Sequence, residues 1–175
     1  MNTAIVGSAF FLSSAVPVQP AFTPLGKRRI PEAAGIATDQ EKFHGYADAL
    51  SEAGLDINDV PMVQADPWDR YAAPMMLDAA PNATAILSMS VMQAIAVINE
   101  GRRRGLSVPG DLSVVGYNDI PDAERSDPPL TTVDGLGVQK GLTAGRIVFE
   151  GGPPRHEILK PRLIMRASTG PAPVR

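Results

Sequence analysis

A short apolar strand pattern that runs directly into polar residues constrains this chain more than any other feature. Leu112-Ser-Val-Val115 is typical of a buried strand, and it continues through Gly116 into the polar pair Asn118 and Asp119. In open α/β sheets, ligands bind beyond the carboxyl ends of the strands. The segment therefore predicts a fold that presents polar side chains to a ligand from the end of a strand.

The rest of the chain alternates between helical and strand patterns. Apolar residues recur at helical spacing in four segments: Asp39–Ala53, about Asp69–Ala79, the stretch after Ser90 and the stretch after Asp134. Gly54 stands where the C′ glycine of the first helix belongs, and Asp134 can cap the last helix. Shorter strand patterns lie at Val60–Val63, Thr84–Ser88 and Ile158–Met165. Thr84–Ser88 is apolar on both faces, as a parallel sheet covered by helices requires. We expect an α/β fold with a mostly parallel sheet flanked by helices.

The composition of the chain excludes several classes of function but does not point to a particular one. A net charge of −3 gives no electrostatic reason to expect nucleic-acid binding by this chain. Cysteine is absent, which excludes disulfides, thiolate zinc sites and a cysteine nucleophile. The two histidines are isolated, and the chain has no nucleophile elbow, phosphate-binding glycine loop or paired-histidine metal helix. We expect no catalytic residues, no metal site and no cofactor.

The beginning of the chain is less regular than the remainder. Residues 4–16 form an apolar run shorter than the ~20 residues of a membrane-spanning helix. No Lys or Arg precedes this run as in a signal peptide, which favours a buried strand or its remnant and a cytoplasmic protein. Prolines at positions 17, 20, 24 and 31 then leave no room for a regular central element.

Four signatures occur in a specific order and spacing. They are Thr84-Ala-Ile-Leu-Ser-Met-Ser90, Gly105-Leu-Ser-Val-Pro-Gly-Asp-Leu-Ser-Val-Val-Gly-Tyr-Asn-Asp119, Pro128-Pro-Leu-Thr-Thr-Val133 and Arg166-Ala-Ser168. Together they resemble the effector-binding region of LacI/GalR-type bacterial transcriptional regulators. Weaker similarity extends back through Leu25–Ile30 and His44–Tyr46, so the resemblance covers about residues 25–170.

The resemblance implies a periplasmic-binding-protein-like lobe with an incomplete second lobe. Residues 25–133 and 158–168 would form the C-terminal lobe, and residues 134–157 would be a helix returning to the N-terminal lobe. Residues 1–24 would be an irregular leader without a family match, and residues 171–175 a tail. Nothing before Leu25 resembles the helix-turn-helix, the hinge or the first half of the sensor, so the chain looks like a truncated family member.

Two departures from the family pattern carry structural expectations. The family has a buried strand where this chain has Ile30–Gly35, yet Pro31 would remove a ladder hydrogen bond and Glu32 would bury a charge. Either this strand lies at an edge or the segment differs from its family counterpart. The returning helix would also lack its sheet, so its apolar residues Val138, Leu142 and Phe149 would need another partner.

The resemblance suggests three ligand-binding residues, each with a structural alternative. Asn118 stands where the family commonly has an Asp that holds sugar hydroxyls, although Asn is also a usual turn residue. Lys42 matches a ligand-binding Arg but offers a point charge rather than a planar fork, and we favour the alternative of a solvated helix lysine. Ser90, followed by Val91 in place of a polar family residue, can contact a ligand or cap a helix.

Two further features of the sequence invite functional interpretations. Trp68 is the only tryptophan and can stack on the apolar face of a sugar, or be an ordinary half-buried aromatic residue. Arg102-Arg-Arg104 invites a nucleic-acid interpretation. The cluster ends a predicted helix, however, where cations complement the helix dipole, and we favour that structural role.

These observations predict a small-metabolite-sensing domain of a transcriptional regulator that lacks its own helix-turn-helix. Its expected partners are a sugar or other polar metabolite and a second copy or a paralogue; DNA would be reached only through a module absent from this chain. We expect no membrane partner. The alternatives are a periplasmic-type solute-binding protein and a non-functional truncated fragment.

Overall fold

The computed structural model describes residues 11–13, 37–64 and 72–173. The strands in these residues are β1 Phe11–Ser13, β2 Met62–Gln64, β3 Ala85–Ser88, β4 Ser113–Tyr117, β5 Thr131–Asp134 and β6 Arg162–Ile164. They form one sheet of order β2-β1-β3-β4-β5-β6, in which β1 to β5 are parallel and β6 pairs antiparallel with β5. The expected α/β fold with a mostly parallel sheet is confirmed.

Five α-helices and one 3-10 turn accompany the described strands. They are α1 Ala37–Glu52, the 3-10 turn Ile57–Asp59, α2 Ala72–Ala79, α3 Val91–Arg103, α4 Pro121–Arg125 and α5 Gly137–Glu150. The predicted C′ glycine of α1 is confirmed, because Gly54 has φ +76° and donates its N–H to the carbonyl of Ser51. None of the helices in the described ranges is long and apolar enough to cross a bilayer.

The hydrophobic core lies where α2, α3 and α4 cover strands β3 and β4. Fully buried side chains include Met76, Ile86, Ile98, Val114 and Leu130. Gly116 of β4 is needed for this packing, since a Cβ there would lie 2.8 Å from Cδ2 of Leu130. The same Cβ would lie 3.4 Å from Cα of Val91, so the glycine lets the start of α3 approach the strand closely.

The strand between β2 and β3 comes from a part of the chain outside the expected sensor boundary. Phe11–Ser13 pairs with both neighbours, although residues 1–24 were predicted to be an irregular leader. A proline-free apolar run can pair on both sides, whereas Pro31 would leave one ladder position without a donor. Ile30–Gly35 itself lies outside the described residues. The expectation that the apolar run of residues 4–16 contains a buried strand agrees with the pairing of Phe11–Ser13.

The segment after β6 is hydrogen-bonded into the middle of the sheet. Ser168 Oγ donates to the carbonyl of Val114 at 2.6 Å and accepts the N–H of Thr131 at 2.8 Å. The N–H of Val114 in turn donates to the carbonyl of Ser168. These bonds tie β4, β5 and the end of the chain together, which gives the Arg166-Ala-Ser168 signature a structural role.

The arginine cluster at the end of α3 joins helix α3 to helix α2. Glu100 accepts from Arg103 at 2.7 Å and from Arg104 at 2.6 Å, and Arg104 also reaches Asp78 of α2 at 2.6 Å. The hydrogen bonds from the two guanidinium groups lower the pKa of Glu100 to about 2. Arg102 pairs with Asp127 instead. The predicted structural role of the cluster fits these contacts, which go beyond a helix-dipole interaction.

Helix α5 differs from the other long helices because its apolar stripe faces solvent. Val138, Leu142 and Phe149 are 82%, 64% and 92% exposed. Thr143 is buried and Ile147 half-buried on the opposite side of the helix, and α5 has no extensive contact with another described helix or strand. The apolar residues expected to need another partner are therefore uncovered.

Candidate functional site

Three neighbouring parallel strands end together, and each is followed by polar residues. Gly116 and Tyr117 of β4 are in register with Thr132 and Val133 of β5, and β3 pairs with β4 on the other side. The chain leaves these strands through Ser90, Asn118 and Asp134, which we call the carboxyl edge. In a parallel sheet this is the position at which ligands are bound.

Asn118 turns the chain sharply at the end of β4. Its φ is +93°, a conformation that Asn adopts more readily than most residues, and its N–H donates to the carbonyl of Val133 at 2.8 Å. The residue is exposed. The predicted turn role is thus present in the structure, and the exposed amide remains able to donate and accept hydrogen bonds at the carboxyl edge.

Lys42 reaches the carboxyl edge from helix α1. Its Nζ lies 4.4 Å from the centroid of the Tyr117 ring, within the range of a cation–π interaction. Because Tyr117 directly precedes Asn118, this contact places Lys42 and Asn118 in one region although they are far apart in sequence. Of the four predicted ligand-binding residues, Lys42 thus contacts the direct chain neighbour of Asn118.

Ser90 reaches the same region at the start of α3. Its Oγ accepts the N–H of Gln93 at 3.2 Å, so the predicted helix-cap role is confirmed. The adjacent Val91 is buried beneath the edge and, as an aliphatic residue, offers no side-chain hydrogen bond. Trp68 lies outside the described residues.

Asp134 closes the edge at the end of β5, but it does not cap α5 as the sequence suggested. Its carboxylate accepts the N–H of Leu136 at 2.8 Å and pairs with Arg162 at 3.0 Å. These two interactions, the backbone hydrogen bond first, lower the pKa of Asp134. Leu136 takes a left-handed conformation with φ +57°, so the helix begins only at Gly137.

An ion pair behind the carboxyl edge was not foreseen from the sequence. Nη1 of Arg166 lies 2.7 Å from Oδ1 of Asp119, and both side chains are less than one fifth exposed, at 18% and 19%. The same nitrogen donates to the carbonyl of Leu130 at 2.9 Å. Arg166 stood within a family signature, but only the folded chain shows that it contacts the residue after Asn118. Within the described ranges, no three acidic or histidine side chains form a group able to hold a metal ion.

A parallel sheet with helices on it and a polar carboxyl edge defines one lobe of a binding protein of the periplasmic type. The family model of the periplasmic binding protein-like domain matches residues 22–169. The chain belongs to this family, and its relatives place it in the sensor region of LacI-type transcriptional regulators.

Two curated relatives and one solved structure illustrate the match. The chain is 32% identical over 154 residues to the HTH-type transcriptional regulator CelR of Thermobifida fusca, covering 82% of this chain and 45% of the relative. It is 32% identical over 142 residues to the regulator DegA of Bacillus subtilis, covering 76% and 42%. The structure of a CelR–cellobiose complex matches with a TM-score of 0.69 and 25% identity, covering 93% of this chain and 47% of that one. The chain thus spans less than half the length of these relatives.

Proposed function

We propose that this chain is the metabolite-sensing part of a LacI-type transcriptional regulator and binds a sugar or similar polar metabolite at the carboxyl edge. The observation that carries the proposal is the convergence of Lys42 and Asn118 beside Tyr117, at the end of a parallel strand. The similarity to a regulator solved with cellobiose supports a sugar as the first ligand to test.

The side chains at the edge suggest how a hydroxyl-rich ligand would be held. The amide of Asn118 can donate to one hydroxyl and accept from its neighbour, which suits a vicinal diol. Lys42 donates only, and without the planar fork of Arg its grip would be less directional. Ser90 would add a contact through its hydroxyl, and Trp68 a stacking surface for the ring.

We further propose that residues 134–157 belong to the second lobe of the sensor. The support is the uncovered apolar stripe of α5, together with β6, which returns the chain to the first sheet as residues 158–168 were expected to do. The stripe would pack against the N-terminal half of the sensor, and a ligand would lie between the two lobes. In the full regulator, a cytoplasmic dimer would reach DNA through a helix-turn-helix module.

Thermal unfolding of the purified chain with a panel of sugars and purines tests the proposal. A ligand that binds only the folded state stabilises it by about 2.7 kcal/mol at a concentration of 100 times Kd, so the midpoint must rise. Asn118→Ala should abolish that rise, whereas Asn99→Ala, at an exposed position of α3, should leave it unchanged.

The opposite outcome has an equally clear meaning. A cooperative transition that no member of the panel shifts would contradict sugar or purine binding by this chain. The absence of a cooperative transition would favour the alternative of a fragment that requires a partner, because an uncovered apolar stripe is expected of a chain that folds only with its complement.

A further inference from the structure

The turn that carries Asn118 has an unfavourable backbone conformation at two successive residues. Asn118 has φ +93° and Asp119 has φ +45°, and neither is glycine. Residues with side chains adopt positive φ infrequently, and such conformations persist where the surrounding structure holds them. The direction of the Asn118 side chain therefore depends on what restrains this turn.

Three contacts restrain the turn. The N–H of Asn118 donates to the carbonyl of Val133 at 2.8 Å, and the N–H of Asp119 donates to Oγ1 of Thr132 at 3.4 Å. The third contact is the 2.7 Å ion pair between Asp119 and Arg166. It is the only one of the three that uses a side chain of the turn itself, and the only one that joins two charged groups. Charge-assisted hydrogen bonds of this kind are shorter and stronger than neutral ones.

Arg166 is itself held firmly, which makes it a suitable anchor. Its N–H donates to Oγ1 of Thr131 at 2.9 Å, and its Nη1 donates to the carbonyl of Leu130 at 2.9 Å. The next residue, Ala167, donates its N–H to the carbonyl of Pro129 at 3.0 Å. The guanidinium group is therefore fixed to the start of β5, from which it reaches the turn at the end of β4.

We propose that Arg166 is a positioning residue that sets the ligand affinity of the sensor by fixing the Asn118–Asp119 turn through Asp119. This inference rests on the proposed function, because it assigns Asn118 to the ligand. Arg166 does not need to touch the ligand itself. A lysine at this position would keep the positive charge. It would lose the rigid planar guanidinium group, whose Nη1 donates to both the Leu130 carbonyl and the Asp119 carboxylate.

The test combines amide hydrogen exchange by NMR with cellobiose titration of the full chain. Arg166→Lys and Asp119→Asn are the test variants, and Arg102→Lys is the control because Arg102 forms an arginine–aspartate pair away from the carboxyl edge. We expect exchange at the Asn118 N–H to accelerate by about tenfold or more, with a comparable rise in the Kd for cellobiose, as loss of a charge-assisted hydrogen bond implies. The unfolding midpoint and the exchange of α3 amides should stay close to those of the control.

Two results would overturn the inference. Unchanged exchange at Asn118 in both test variants would mean that the ion pair does not hold the turn. Faster exchange throughout β4 and β5 with a lowered midpoint would mean that Arg166 supports the fold and does not specifically position Asn118. If the unmodified chain does not bind cellobiose, the proposed sugar function fails for this probe, and exchange at Asn118 alone decides whether Arg166 fixes the turn.

Discussion

Helices α3 and α5 have the same kind of amphipathic sequence and opposite environments. The apolar residues of α3, among them Val97 and Ile98, are fully buried on the sheet, whereas Leu142 and Phe149 of α5 are mostly exposed. The spacing of apolar residues thus predicts that a helix has a face to bury, but not whether the same chain supplies the surface that covers it. The difference separates a helix whose apolar face is covered by the described sheet from a helix whose apolar face is exposed.

The physical reason for the difference lies in how each helix leaves its strand. The chain passes from β3 into α3 through the Ser90 cap, and Gly116 lets that helix lie directly on β4. The chain leaves β5 through Leu136, which has a left-handed conformation, and an ion pair of Arg146 with Glu157 joins the following loop to α5. The described sheet therefore lies under α3 but not under the apolar stripe of α5.

The largest expected effect contrasts one leucine in each region. Leu130→Ala removes a fully buried side chain and should lower the free energy of unfolding by about 2–5 kcal/mol. Leu142→Ala removes an exposed side chain and should change it by less than about 0.5 kcal/mol. Urea unfolding of both variants measures the difference. Similar losses in the two variants would mean that α5 is packed as tightly as the core.

Alanine substitutions at two glycines, one in each region, should change the stability of the chain in opposite directions. A methyl group at Gly116 would meet the buried Leu130, so Gly116→Ala should destabilise the chain by about 1–3 kcal/mol. Gly141 lies inside α5, where an added methyl group would extend into open space, and Gly141→Ala should favour the helix by about 0.5–1 kcal/mol. Helix content from circular dichroism and urea midpoints report both effects. Destabilisation by Gly141→Ala would contradict an uncovered α5.

The ion pairs of the two regions should differ in their pH dependence. The pKa of Glu100 is about 2 in the folded chain against an ordinary value of 4.5, so its contribution is fully present above pH 4.5 and is lost as the pH falls towards 2. The urea midpoint of Glu100→Gln should lie below that of the unmodified chain at pH 6, and the gap should close towards pH 2. Glu157→Gln, in the loop that follows α5, is the control and should show a much smaller gap at pH 6. An equal gap at every pH would contradict the ion-pair explanation.

Local patterns in the sequence were sufficient to predict much of the core lobe. The Ser90 cap, the glycine after α1 and the apolar strand before Asn118 are all visible within a few residues, because they depend on local backbone geometry. The family resemblance added the placement of Lys42 and Asn118 near one ligand. In the structure Lys42 contacts Tyr117, the residue before Asn118, and ligand binding by both residues stays a prediction.

Features that depend on distant pairing could not be predicted in the same way. The ion pair of Asp119 with Arg166 joins two strand ends that are far apart in sequence. Both residues lie in family signatures, but no local pattern marks them as partners of each other. The use of Phe11–Ser13 as a strand depends on a free position between β2 and β3. Asp134 resembled a helix cap in sequence, but α5 begins only at Gly137, after Leu136 in a left-handed conformation. Leucine rarely adopts this conformation, so there was no reason in the sequence to expect it at Leu136.

Amide hydrogen exchange of the full chain at a monomeric concentration tests the contrast between the two helices most directly. We predict that amides in α3 exchange only through global unfolding, while amides in α5 exchange through local opening and at least about a hundredfold faster. Equal and strong protection of both helices in the isolated chain would contradict the interpretation, because the stripe of α5 would then be covered without any second lobe.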